Sequence, residues 1–99
     1  MIPNLPIQAI RSLCEQHRVR ELGLFGSAAR GEFDANRSDF DFWVEFLNHE
    51  KSDLFDLFGL QDSLENLLHR RVDLVSKRGL KPWIRDEILG ESKSIYAAN

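Results

Sequence analysis

The sequence predicts a small α/β protein, with helices packed on a sheet of three or four strands. Three observations carry that prediction. Phe40, Phe42, Val44 and Phe46 alternate with Asp39, Asp41, Trp43 and Glu45, the period of a half-buried strand. Leu54, Leu57, Phe58, Leu60, Leu64, Leu67 and Leu68 recur at helical spacing up to about His69. Short apolar runs at Glu21–Phe25 and Arg71–Ser76 read as further strands with helices between them, which implies one sheet with helices on it.

Along the chain, Ile7, Ile10, Leu13, Cys14 and His17 form a helical stripe that opens after Pro6. Cys14 lies on that stripe and reads as a small core residue. The strand Glu21–Phe25 runs into Gly26-Ser27, and Ser27 to Gly31 is a helical turn. Phe33 to Ser38, with Asp34, Asn36, Arg37 and Ser38, has loop chemistry. After the 40–46 strand, Asp53 suits a helix start. Gly79 breaks the chain after the third strand, and Pro82 suits the first turn of a last helix that carries Ile84 and Ile88. Ile95-Tyr96 in the polar tail is a short strand or a docking segment. The expected order is α-β-α-β-α-β-α in a single domain over residues 1–99.

The chain has 99 residues, 42% apolar and 29% charged, the composition of a globular protein. Its 13 Lys and Arg against 16 Asp and Glu give a net charge of −3, which argues against direct nucleic-acid binding. One cysteine excludes an internal disulfide and a Cys-rich zinc site. His17, His49 and His69 share no ligand spacing. No apolar run reaches the ~18 residues of a membrane span, and Met1 to Pro6 lacks signal-peptide features, so a cytoplasmic protein is expected.

The chemistry concentrates in acidic residues. Asp39 and Asp41, two apart on a strand, project to the face opposite Phe40 and Phe42. Carboxylates held that closely repel, and a divalent cation between them relieves the repulsion. Asp73, between Val72 and Leu74, is an unfavourable strand residue unless it joins the pair. Three such carboxylates make a hard-cation site suited to Mg²⁺, and two ions ~3.5–4 Å apart would serve an in-line phosphoryl displacement. Gly26-Ser27, at a strand-to-helix junction, offers backbone N–H groups and a hydroxyl to a phosphate, with Arg30 one turn on. Taken singly, a D-x-D or a glycine-serine turn is also what solvated charges and a helix cap produce; their combination points to nucleotide chemistry.

Gly26-Ser27-Ala28-Ala29-Arg30-Gly31-Glu32 followed by Ser38-Asp39-Phe40-Asp41-Phe42-Trp43-Val44 resembles the G-S-x-x-R-G-E…S-D-x-D-x-x-V signature of the minimal nucleotidyltransferases, within the DNA polymerase beta-like superfamily. Arg71-Val72-Asp73-Leu74-Val75 resembles the strand carrying that family's third aspartate, and Gly79 to Ile84 its lead-in to the last helix. The resemblance spans about residues 20 to 90. It implies a mixed sheet, Asp39, Asp41 and Asp73 as catalytic Mg²⁺ ligands, and Gly26, Ser27 and Arg30 on the triphosphate of ATP. It also implies an antitoxin that moves AMP from ATP to a tyrosine of a HEPN-domain ribonuclease toxin and assembles with it.

The residues themselves agree on one point: a chain this short leaves little material for an acceptor pocket, so another protein would supply the acceptor. The apolar excess of the Asp53–His69 helix and the aromatics Trp43, Trp83 and Tyr96 are candidate contact surface, although any one of them also suits a core. Glu32 and Glu45 read as solvated acidic neighbours of the site. The alternative function is a non-catalytic antitoxin that neutralises its partner by occlusion. The complete carboxylate set favours the enzyme.

Overall fold

A computed structural model describes residues 5–32, 39–48 and 50–98. The expected loop at Phe33 to Ser38, His49 and the first four residues lie outside them. The elements in order are α1 (Ile7–Gln16), β1 (Val19–Phe25), α2 (Gly26–Ala29), β2 (Phe40–Phe46), α3 (Leu54–Leu68), β3 (Val72–Ser76), a 3₁₀ turn (Lys77–Gly79), α4 (Pro82–Glu91) and β4 (Lys93–Ala97). The sheet has the order β3-β2-β1-β4. β1 pairs antiparallel with both β2 and β4, whereas β2 and β3 are parallel. The mixed four-stranded sheet agrees with the sequence expectation, and Ile95-Tyr96 belongs to its fourth strand.

Alternation sorts the sheet residues between two faces. Leu22, Leu24, Phe40, Phe42, Val44, Phe46, Val72 and Leu74 line one face and pack with Ile10 and Cys14 of α1 and Leu60 and Leu64 of α3 in a single core. Burial pushes the Cys14 thiol up to about 12, which keeps it protonated and unreactive. A register irregularity between Val19 and Glu21 lets Val19 join the core while Arg20 stays exposed. On the other face Trp43 is only 3% exposed, although it alternates with core residues. Its indole lies over Gly23, where a Cβ would collide with the ring, so glycine on β1 makes room for tryptophan on β2.

Helix α3 starts where Asp53 accepts hydrogen bonds from the N–H groups of Phe55 (3.0 Å) and Asp56 (3.2 Å), while Asp56 accepts one from Asp53 N–H (2.9 Å). This reciprocal cap satisfies donors that the first turn otherwise leaves open. One side of the helix enters the core. Leu54 (64% exposed), Phe55 (83%) and Phe58 (55%) do not. Two polar side chains on α3, Gln61 and Glu65, hold the open edge of β3. Gln61 Nε2 donates to the Val72 carbonyl at 2.9 Å, and Glu65 accepts from Val72 N–H at 2.9 Å. The start of β3 is thereby fixed one residue before Asp73.

Because β1 runs against β2 and β3, the end of β1 and the starts of β2 and β3 share one edge of the sheet. Phe25 is opposite Asp41, and Asp41 is opposite Asp73.

Candidate active site

The strand register brings the acidic residues of the sequence pattern together. Asp41 and Asp73 are neighbours across the parallel ladder, and Asp39 immediately precedes β2. Burial first, then the charges of Asp73 and Asp39, raise the Asp41 carboxyl above its usual range, with Glu91 adding to the rise and Arg30 opposing it. Among the described residues no three His, Cys, Asp or Glu side chains close around a point as a complete protein cage for a metal. Mg²⁺ does not need one. It is usually held by one or two carboxylates, with water and substrate phosphates filling the remaining positions. The unbalanced charge at Asp41 and the all-oxygen donor set fit such an ion. A polar depression of about 250 Å³ beside the carboxylates is lined by Asp39, Asp73, Gln61, Glu65, Arg71 and Val72.

The glycine-serine turn meets this cluster directly. Gly26 has φ +72°, a conformation that disfavours other residues, and a Cβ on it would collide with the Asp41 carboxylate. Glycine here allows the turn to touch the acidic side chain. Phe25 occupies the cap position of α2 and no side chain caps that helix, so Ser27 is not an N-cap. Ser27 instead lies second in α2, and its carbonyl accepts from Glu32 N–H at 2.8 Å.

Arg30 is engaged by carboxylates. Its Nε donates to Glu32 at 3.0 Å, and its Nη1 reaches both oxygens of Glu91 at 3.3 and 3.4 Å. Glu91 also accepts from Gly26 N–H at 3.2 Å. Sequence reasoning missed Glu91, because 65 residues separate it from Gly26 and the α4 sequence carries no spacing that links the two. Glu45 is not a neighbour of the site: it lies near the far end of β2, paired with Lys77 and Arg78. Of the three candidate contact aromatics, Trp43 is buried, Tyr96 packs partly against the core, and Trp83 is 76% exposed. No helix among the described residues is long and apolar enough to cross a membrane.

A family model described as "Nucleotidyltransferase domain" matches residues 7–95. The protein adenylyltransferase MntA of Thermococcus cleftensis is 43% identical over 81 residues, covering 82% of this chain and 79% of that protein. A Methanocaldococcus jannaschii protein assigned as a protein adenylyltransferase is 42% identical over 85 residues, covering 85% of this chain and 82% of its own length. Among solved structures, a protein assigned as a minimal nucleotidyltransferase superposes with a TM-score of 0.76 at 42% identity, covering 88% of this chain and 86% of that one. A toxin–antitoxin crystal structure with AMP-PNP superposes with a TM-score of 0.78 at 24% identity, covering 96% of this chain and 76% of that one, a likeness of fold.

Proposed function

This chain belongs to the nucleotidyltransferase domain family, and we propose that it transfers AMP from ATP to a hydroxyl, a tyrosine of a HEPN-type toxin, as the antitoxin of that pair. The observation that carries the reading is the contact between the Gly26-Ser27 turn and Asp41, itself beside Asp73. A turn with backbone N–H donors against a carboxylate pair suits a site where a nucleotide's phosphates and their cation meet. The 43% identity to a protein adenylyltransferase supports the choice of AMP transfer to a protein.

Each residue then has a physical task. The N–H groups of the turn and the Ser27 hydroxyl hold the triphosphate, with Arg30 at its side. Asp39 and Asp41 hold Mg²⁺, and Asp73 shares in holding it. When bound, Mg²⁺ supplies charge neutralisation to the triphosphate. The acceptor oxygen attacks the α-phosphorus, the bond to the β-phosphate breaks, and pyrophosphate leaves. Asp73 takes the proton of the phenol, whose ordinary pKa is near 10. The fold contributes positioning and electrostatics, the principal means of catalysis in phosphoryl chemistry. Residues 1–99 act in this reading as one nucleotidyltransferase domain.

Intact-mass measurement of a HEPN-type partner incubated with this protein, ATP and Mg²⁺ tests the reading. Addition of AMP to a tyrosine supports it. A tight complex with an unmodified partner overturns transfer and leaves neutralisation by occlusion.

A further inference from the structure

We propose that the Glu91 carboxylate is a placeholder for a nucleotide phosphate: it occupies the Gly26 amide and Arg30 in the nucleotide-free protein and gives way when a triphosphate binds. The inference rests on the reading of the Gly26-Ser27 turn as the phosphate cradle.

Two donors assigned to the triphosphate already hold an anion. Gly26 N–H donates to Glu91 Oε1 at 3.2 Å, and Arg30 Nη1 reaches Oε1 and Oε2 at 3.4 and 3.3 Å. The Gly26 amide opens α2 and has no partner within that helix, so it requires an acceptor from elsewhere. A carboxylate is a planar anion with acceptor oxygens, the same recognition chemistry as a phosphate edge.

The two anions exclude each other. One backbone amide has one proton, and a phosphate oxygen at the same donors would lie against the Glu91 oxygens, like charge against like. The position is already acidic, because Glu91 adds to the field of Asp73 and Asp39 on Asp41. Arg30 and the Gly26 amide are what make a carboxylate tolerable there. Once a triphosphate takes both, Glu91 has no compensating partner. Its side chain is 29% exposed and ends α4, so rotation about its own side-chain bonds carries it to water with the helix unchanged. Until it leaves, the competent form is a fraction of the population, and apparent nucleotide affinity falls by that fraction.

The test uses the full chain, Glu91→Gln, Glu91→Asp and the α,β-methylene analogue of ATP with Mg²⁺. Titration calorimetry should show both variants binding the analogue more tightly than wild type, roughly three- to tenfold. Glu91→Asp keeps the charge but withdraws the carboxylate by one methylene, so tightening there cannot come from charge removal alone. It also serves if Glu91→Gln fails to fold. The Gly26 amide NMR signal should differ between wild type and variant in the free proteins and coincide in the analogue-bound ones. Weaker binding by the variants, or Gly26 signals that still differ when the analogue is bound, overturns the exchange while leaving the nucleotide site intact. Absence of binding by all three proteins overturns the nucleotide reading and the exchange with it.

Discussion

Where β2 and β3 begin, Asp41 stands beside Asp73 with Asp39 next to them; Arg30 is divided between Glu32 and Glu91, and Arg71 lines the same depression as Asp39 and Asp73. Where the same strands finish, Glu45 meets Lys77 at 3.8 Å and Arg78 at 3.9 Å, and Lys77 also meets Glu21 at 3.8 Å. That far end also carries a cavity of about 310 Å³ lined by Phe46, Leu54 and Leu57 among others, beside the exposed Phe55 and Phe58. One end settles its charges within the chain and shows apolar surface. The other leaves carboxylates in excess. Crowded carboxylates in excess call for a balancing cation from outside the chain, so the acidic end has the character of a reaction site and the far end that of scaffold or contact surface.

The comparison breaks first if the acidic end proves dispensable. Asp39→Asn and Asp41→Asn should each lower AMP transfer by at least ~100-fold, the scale of lost electrostatic stabilisation at an organised site. Circular dichroism should show both variants folded; wild-type rates in both would remove the site from this end. Asp73→Asn should lower turnover while calorimetry still detects Mg²⁺–ATP, held by Asp39, Asp41 and the turn. Loss of binding as complete as in the paired-aspartate variants would make Asp73 a further metal ligand and nothing more.

Two glycines give a matched pair. Gly26→Val places a side chain at φ +72° and against Asp41, and should abolish ATP use. Gly23→Val meets the Trp43 ring instead and should cost about 1–3 kcal/mol of stability by overpacking, read as a lowered denaturation midpoint. At the far end, Asp53→Ala removes the α3 cap and should cost ~1 kcal/mol, with activity per folded molecule unchanged. A smaller effect is expected from Ser27→Ala, since the backbone donors survive and one neutral hydrogen bond is worth about 0.5–1.5 kcal/mol.

The smallest effect concerns pH. The fold raises the Asp41 pKa, so the native state holds that proton more tightly than the unfolded chain does. The metal-free protein is therefore favoured by this group at pH below the usual aspartate value. That advantage is lost as pH rises through the raised value. Asp41→Asn should remove the decline and melt above wild type at neutral pH without metal. A lower melting temperature for the variant would contradict the repulsive reading of the cluster.

Much of this was legible in the sequence because it is written in local periodicity. The alternation at 40–46 and the leucine spacing of α3 match β2 and α3 closely, and Asp53 does start the helix. The pairing of Asp41 with Asp73 was also within reach, because an aspartate between Val72 and Leu74 requires a reason. What stayed hidden depends on contacts across long sequence separations. Trp43 could not be read as buried without the Gly23 opposite it. Val19 joined β1 through an irregularity in the ladder that propensity does not encode. Gln61 and Glu65 look like ordinary surface residues until Val72 is seen to need their hydrogen bonds. Glu91 reads as a polar helix end until α4 is folded back onto α2.

The chain has two tryptophans in contrasting surroundings, Trp83 at 76% exposed and Trp43 at 3%. Trp43 stands two residues from Asp41 on the same strand face, with the Lys77 ammonium 5.1 Å from its ring centre and no hydrogen-bond partner for its indole N–H among the described residues. Iodide in solution can collide with Trp83 but has no route to Trp43. A Trp83→Phe protein therefore carries a single tryptophan, excited selectively at wavelengths that Tyr96 does not absorb, shielded from quenchers and sensitive to charge arriving beside the aspartates. Occupation of the acidic end would be visible as a change in emission, with no label attached to the protein.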